Sequence, residues 1–157
     1  MGPEAGNSSA TQDQVTGVRA VLDANVYVSA AIHPVGPPGR ILERCIRDGA
    51  FGLIASPAIA DEVSRALAYP NVRKHLRPDL DAQGWLEYVL VLADLVVGEP
   101  IVEGVCADPD DDKYVAAALE GRAHYIVTGD RPFLNLRQHK GVQIVSPRTF
   151  LEILDAS

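Results

Sequence analysis

From Val18 onward, compact apolar runs alternate with longer stretches in which apolar positions recur at helical spacing. Val18–Leu22, Phe51–Ala55, His124–Thr128 and Val142–Val145 are short, mostly apolar, and followed by Asp, Gly or a Ser-Pro pair, which predicts strands. In Arg40–Asp48, Ile41, Leu42, Cys45 and Ile46 form one stripe, and Gly49 closes it. Ser56-Pro57 and Asp108-Pro109 each join a capping side chain to a first-turn proline. Helices are therefore expected from Pro57 to about Ala68 and from Pro109 to about Glu120. Pro78–Val97 reads as one long helix or two shorter ones, Pro132–Gln138 as a short helix and Pro147–Leu154 as the last. Strands alternating with helices predict an α/β fold with a parallel sheet.

Residues 1–16 are polar and small, with little to bury, and are expected to form a disordered leader to a single domain over 18–154. An apolar content of 47% with 22% charged residues fits a globular chain long enough to bury a core. The net charge of −7 argues against a broad electrostatic grip on nucleic acid, so any such binding must rest on local basic groups. Cys45 and Cys106 lack motif spacing and read as reduced thiols of a cytoplasmic protein. No signal-peptide core is visible, and the most apolar run, Val89–Val97, is interrupted by Asp94 and too short to span a bilayer, so no membrane role is expected. It reads as buried helix.

Four acids stand where an α/β fold can gather them. Asp23 follows the first strand and Asp130 the third, and ligands of open parallel sheets bind beyond the carboxyl ends of strands. Turn formation or helix capping would explain either Asp equally well. On the helix after Ser56, Ile59, Val63, Ala66 and Leu67 face inward, which leaves Asp61 in solvent and Glu62 on the boundary of the stripe. In Asp108-Pro109-Asp110-Asp111-Asp112, Asp108 is a natural cap, and helical phase puts Asp111 on the face of Tyr114, Val115 and Ala118, with Asp110 and Asp112 to either side. Asn25 and Thr128 are placed to support the carboxylates, although both also suit turns. Two unit charges about 4 Å apart repel by roughly 4 kcal/mol at an effective dielectric near 20, so a carboxylate cluster calls for shared protons, a cationic partner or a divalent metal. Oxygen ligands alone suit Mg²⁺ or Mn²⁺. The histidines show no zinc spacing, and neither a local Ser-His-Asp signature nor a glycine-rich phosphate loop is present. Arg40, Arg44 and Arg47 share a helix face, and Arg73, Lys74 and Arg77 form a second basic group; either could track phosphates, but a solvated basic face is the commoner role.

Taken in order, Val21-Leu22-Asp23-Ala24-Asn25-Val26, Ala58-Ile59-Ala60-Asp61-Glu62-Val63, Asp108-Pro109-Asp110-Asp111-Asp112-Lys113-Tyr114 and Tyr125-Ile126-Val127-Thr128-Gly129-Asp130 resemble PIN-domain nucleases. The resemblance is greatest to the VapC-like toxins of toxin–antitoxin systems and covers about Val18 to Leu154. It implies a three-layer α/β/α sandwich around a mainly parallel sheet. It further implies an endoribonuclease dependent on one or two Mg²⁺ or Mn²⁺ ions, a homodimer and a small antitoxin partner. Asp23, Glu62, Asp111 and Asp130 would be the acidic quartet, with Asn25 and Thr128 in support. After Thr-Gly-Asp the chain departs from relatives by continuing Arg131-Pro132-Phe133. Two other readings compete: a PIN-like binding module without catalysis, and a phosphoaspartyl domain. The second lacks a DxD motif, since Ala24-Asn25 follows Asp23.

Overall fold

A computed structural model describes residues 17–157; the expected leader, 1–16, lies outside the described residues. Six strands form one sheet: β1 (Arg19–Leu22), β2 (Gly52–Ala55), β3 (Asp94–Leu95), β4 (Tyr125–Val127), β5 (Gln138–His139) and β6 (Val142–Val145). Their spatial order is β3-β2-β1-β4-β6-β5, parallel throughout except where β5 turns back along β6. The helices are α1 (Ala24–Ile32), α2 (Pro37–Asp48), α3 (Pro57–Ala68), α4 (Pro70–Arg73), α5 (Ala82–Val91), α6 (Asp112–Glu120), α7 (Arg131–Leu134) and α8 (Pro147–Asp155). They flank the sheet and complete a three-layer α/β/α sandwich. No helix of the described residues is long and apolar enough to cross a membrane.

The strands are buried because their apolar runs are: Ala20, Val21, Leu22, Ile54, Ile126 and Val127 are wholly inaccessible. Several elements begin and end where the sequence places them. Ser56 caps α3 by accepting the Ile59 N–H, Ser146 caps α8 by accepting that of Thr149, and Gly49 closes α2 in the left-handed conformation at φ 58°. The chain runs from β1 outward to β2 and β3, then returns to place β4 on the other side of β1. That reversal opens a crevice at the carboxyl ends of β1 and β4.

Four elements differ from expectation. Helix α1 shows no sequence stripe because its less buried half carries Val28 and Ile32 beside Asn25 and Ser29, so apolar residues occur on both faces. Val89–Val97 is not one buried helix. Helix α5 stops at Val91, and Asp94–Leu95 pairs with Ile54–Ala55 as an edge strand, leaving Val91, Leu95 and Val97 exposed. The short strand β5 was not expected. Residues Pro109–Asp111 form a 3-10 turn before α6, and Asp112, the first residue of α6, is buried.

Candidate functional site

Register brings the first pair together. Leu22 lies opposite Val127, and the Asp23 N–H donates to the Val127 carbonyl at 2.9 Å, so Asp23 and Thr128 leave adjacent strand ends side by side. Thr128 is fully buried, and its hydroxyl donates to Asp23 Oδ2 at 2.7 Å while accepting the Asp130 N–H at 3.0 Å. Asn25 donates to the same Asp23 oxygen at 3.2 Å and accepts the Gly129 N–H at 3.3 Å. Asn25 and Thr128 thus hold the two strand ends and their acids in fixed relation.

Capping, the ordinary explanation of these acids, separates them. Asp81 accepts the Gly84 N–H and Asp108 the Asp110 N–H, as caps do. Asp23 and Asp130 each stand at a helix N-cap and make no side-chain cap bond, while Asp111 lies inside the helical run that Asp108 caps. A cap is worth about 1 kcal/mol. Asp23 and Asp130 forgo it.

Glu62 comes in from α3. Its Oε1 accepts from the Tyr114 hydroxyl and lies 3.1 Å from Lys113 Nζ. The Tyr114 hydroxyl in turn accepts the Ala24 N–H at 3.1 Å and stands between Glu62 and Asp23. Burial, followed by the charge of Asp23, keeps this phenol protonated. It remains a donor at any physiological pH.

The electrostatics mark the same place. Burial, then the like charges of Asp23, Asp108, Asp130 and Glu62, pushes the Asp111 carboxyl up to about 7. Burial also raises the Asp23 carboxyl, against the opposing hydrogen bonds of Thr128 and Tyr114. Among the described residues no three His, Cys, Asp or Glu side chains are set closely enough to hold an ion as they stand. Asp23, Asp130 and Glu62 act on Asp111 at Coulombic range.

Helical phase misassigns one acid here. Asp112, expected to project sideways, is buried, and its carboxylate accepts the Cys106 N–H at 2.9 Å. Asp112 belongs to α6, whose residues from Tyr114 to Ala118 are buried on every side, so a sideways position there is still an interior one. Asp111, half-buried in the preceding 3-10 turn, still joins the cluster. Tyr114 and Lys113 are site residues that sequence reasoning missed; Tyr114 reads as core, and only tertiary placement reveals its hydroxyl as a bridge. The Arg40, Arg44 and Arg47 face is largely engaged in structure. Arg44 pairs with Asp155 at 2.7 Å and Asp48 at 3.6 Å, and Arg47 with Glu43 at 2.9 Å, leaving Arg40 without an ion pair among the described residues. Neither thiol offers a nucleophile, since burial pushes Cys45 up to about 11 and Cys106 up to about 12, the latter aided by Asp112.

The sequence matches the PIN domain family over residues 19–132, which includes all four acids and most of the sheet. The chain belongs to the PIN domain family. Among curated proteins it is 28% identical over 143 residues to the uncharacterised protein MJ1680 of Methanocaldococcus jannaschii, covering 86% of this chain and 90% of that one. Among solved structures it resembles PAE2754 from Pyrobaculum aerophilum, with a TM-score of 0.60 and 20% identity over 92% of this chain and all of the other. It also resembles VapBC2 from Rickettsia felis, solved with a DNA fragment from their promoter, at a TM-score of 0.53 and 12% identity, covering 82% and 98% of the two chains. At such identities the two structures establish the PIN fold alone.

Proposed function

We propose that this PIN domain is a metal-dependent endoribonuclease that hydrolyses RNA phosphodiester bonds, and that it is the toxin of a toxin–antitoxin pair. The observation that carries the chemistry is the Asp111 carboxyl, pushed up to about 7 by burial and by four neighbouring acids on the crevice. A pocket this unfavourable to anions is correspondingly favourable to a cation. The donors are oxygens, as a hard divalent ion requires, and the buried Asp23 is already fixed by Thr128 and Asn25 as a metal ligand needs to be. Asp23 and Asp111 would be the principal ligands of Mg²⁺ or Mn²⁺, one ion or two, with Glu62 and Asp130 binding directly or through water. The ion would supply positive charge for the scissile phosphate and a water of lowered pKa.

The chain's own groups do the rest. Glu62, oriented by Lys113 and Tyr114, or Asp130, anchored through Thr128, would take the proton of the attacking water. Lys113 offers the cation closest to Glu62 and would help hold a phosphate at the mouth of the crevice. The antitoxin partner is supported by the likeness to VapBC2, homodimer formation is carried over from the resemblance, and a cytoplasmic location fits the two free thiols.

Purified protein should cleave a mixed cellular RNA pool with Mn²⁺ and lose that activity both in EDTA and in Asp111→Asn. Cleavage that survives the substitution would sink the assignment.

A further inference from the structure

Two concavities adjoin at the end of α3 away from Glu62. One, of about 340 Å³, is lined by Arg73, Leu76, Arg77 and Leu80. The next, of about 290 Å³, shares Arg77 and Leu80 and adds Arg47 and Trp85. Their walls are fixed: Ser64 and Gln83 exchange hydrogen bonds of 2.8 and 2.9 Å between α3 and α5, and Asp81 is held as the cap of α5. Arg47 is matched by Glu43. Arg73 and Arg77 are exposed and form no ion pair among the described residues, with Asp79 the nearest acid in sequence left free of one.

In a chain of net charge −7, unmatched arginines beside a half-buried aromatic ring are an unusual combination. Guanidinium groups bind phosphate, and an aromatic face stacks on any base. We propose that this cleft binds single-stranded RNA, with Arg73 and Arg77 on successive phosphates and Trp85 against a base, an inference that rests on the ribonuclease reading. Helix α3 links the two places, since Glu62 and Ala68 are six residues, or about 9 Å, apart along its axis. In this proposal one strand runs from the acidic crevice past α3 into the cleft. The cleft supplies the anion attraction that the crevice itself lacks.

Trp85 is the chain's single tryptophan, so its emission reports on this cleft alone. The full chain in EDTA, which prevents cleavage, is titrated with a 12-nucleotide mixed-sequence single-stranded RNA, following Trp85 emission and, with a labelled copy, anisotropy. Binding should quench the emission. Arg73→Gln with Arg77→Gln should weaken binding about tenfold and flatten the dependence of log affinity on log salt by about 1.4, at about 0.7 per lost phosphate contact. Both residues are exposed, so the thermal melt of the double variant should match the parent. Anisotropy that rises without quenching, an unchanged salt slope, or no binding would each overturn the inference. Equal quenching by polyglutamate at matched charge would also overturn it, because the cleft would then be a peptide-docking surface. Cleavage in Mn²⁺ is scored separately. Cleavage without a Trp85 response leaves the nuclease standing and removes the cleft, and quenching without cleavage does the reverse.

Discussion

The two edges of this sheet use the same residue types to opposite ends. At the amino edge each acid is matched. Arg19 Nη2 lies 2.7 Å from Asp94 and also donates, with Nε, to the Gly121 carbonyl at 2.8 and 3.0 Å, while Glu120 accepts the N–H groups of Val97, Gly98 and Glu99. At the carboxyl edge Asp23, Glu62, Asp111 and Asp130 gather around the crevice with, among the described residues, one ion pair, Lys113 to Glu62. Acids at the first edge tie loops and strands together. At the second, burial and neighbouring charges raise the Asp111 and Asp23 carboxyls, and Asp23 and Asp130 leave N-caps unmade. Carboxylates that cost stability where capping was available point to a task other than folding.

The widest separation between the edges should come from Asp111→Asn. The Asp111 side chain makes no cap bond, so the substitution removes repulsion and sacrifices no structural contact. Metal-dependent cleavage should fall by about two to three orders of magnitude, the scale of several kcal/mol of charge stabilisation. The metal-free protein should become more stable, seen as a rise of a few degrees in Tm. A fall instead would make Asp111 a structural residue and erase the contrast.

Thr128→Val should come next. It removes the donor to Asp23 and the acceptor of the Asp130 N–H without changing shape. Cleavage should drop by roughly 10–100-fold, as for a lost partner of a metal ligand. Thr128→Ser, which keeps the hydroxyl, should restore most of it; a Ser variant as poor as Val would show that the methyl group's packing matters instead. Arg19→Ala tests the other edge. Losing charged hydrogen bonds to Gly121 and Asp94 should destabilise by about 2 kcal/mol in urea melts, with cleavage by the folded fraction unchanged.

What the sequence disclosed follows from which forces act locally. Helix α3 and strand β6 were legible to the residue because Ser56-Pro57 and a short apolar run between turn signals are local instructions. Asp23, Glu62 and Asp130 were legible because strand ends and helix boundaries place them. Helix α1 was not, since Val28 and Ile32 on its less buried side blur the polar face that would betray its period. Asp112 was misplaced because α6 is buried on every side, and β3 because backbone pairing with β2 outweighs the helical reading of Val89–Val97. The Tyr114 bridge depends on α6 meeting α1 and α3, which only the tertiary structure reports. Positions set by local signals were readable, whereas positions set by tertiary contacts were not.

The smallest predicted effect is the most diagnostic of the contrast. Asp111 has a folded pKa of about 7 against an unfolded value of 3.8. Between those values the folded protein holds more protons than the unfolded chain, so stability falls as pH rises from about 4 to about 7 and levels off above. Asp23, also raised, acts in the same direction. Because Asp111 is only half-buried, solvent screening reduces its share to on the order of 1 kcal/mol. In EDTA the protein should therefore resist urea better at pH 5 than at pH 8, and Asp111→Asn should remove much of that difference. Mn²⁺ should act oppositely, stabilising more at pH 8 than at pH 5, because its ligands must be ionised to bind. A parent whose pH dependence in EDTA matches that of Asp111→Asn would mean that the crevice acids do not strain the fold, and that the two edges differ in position alone.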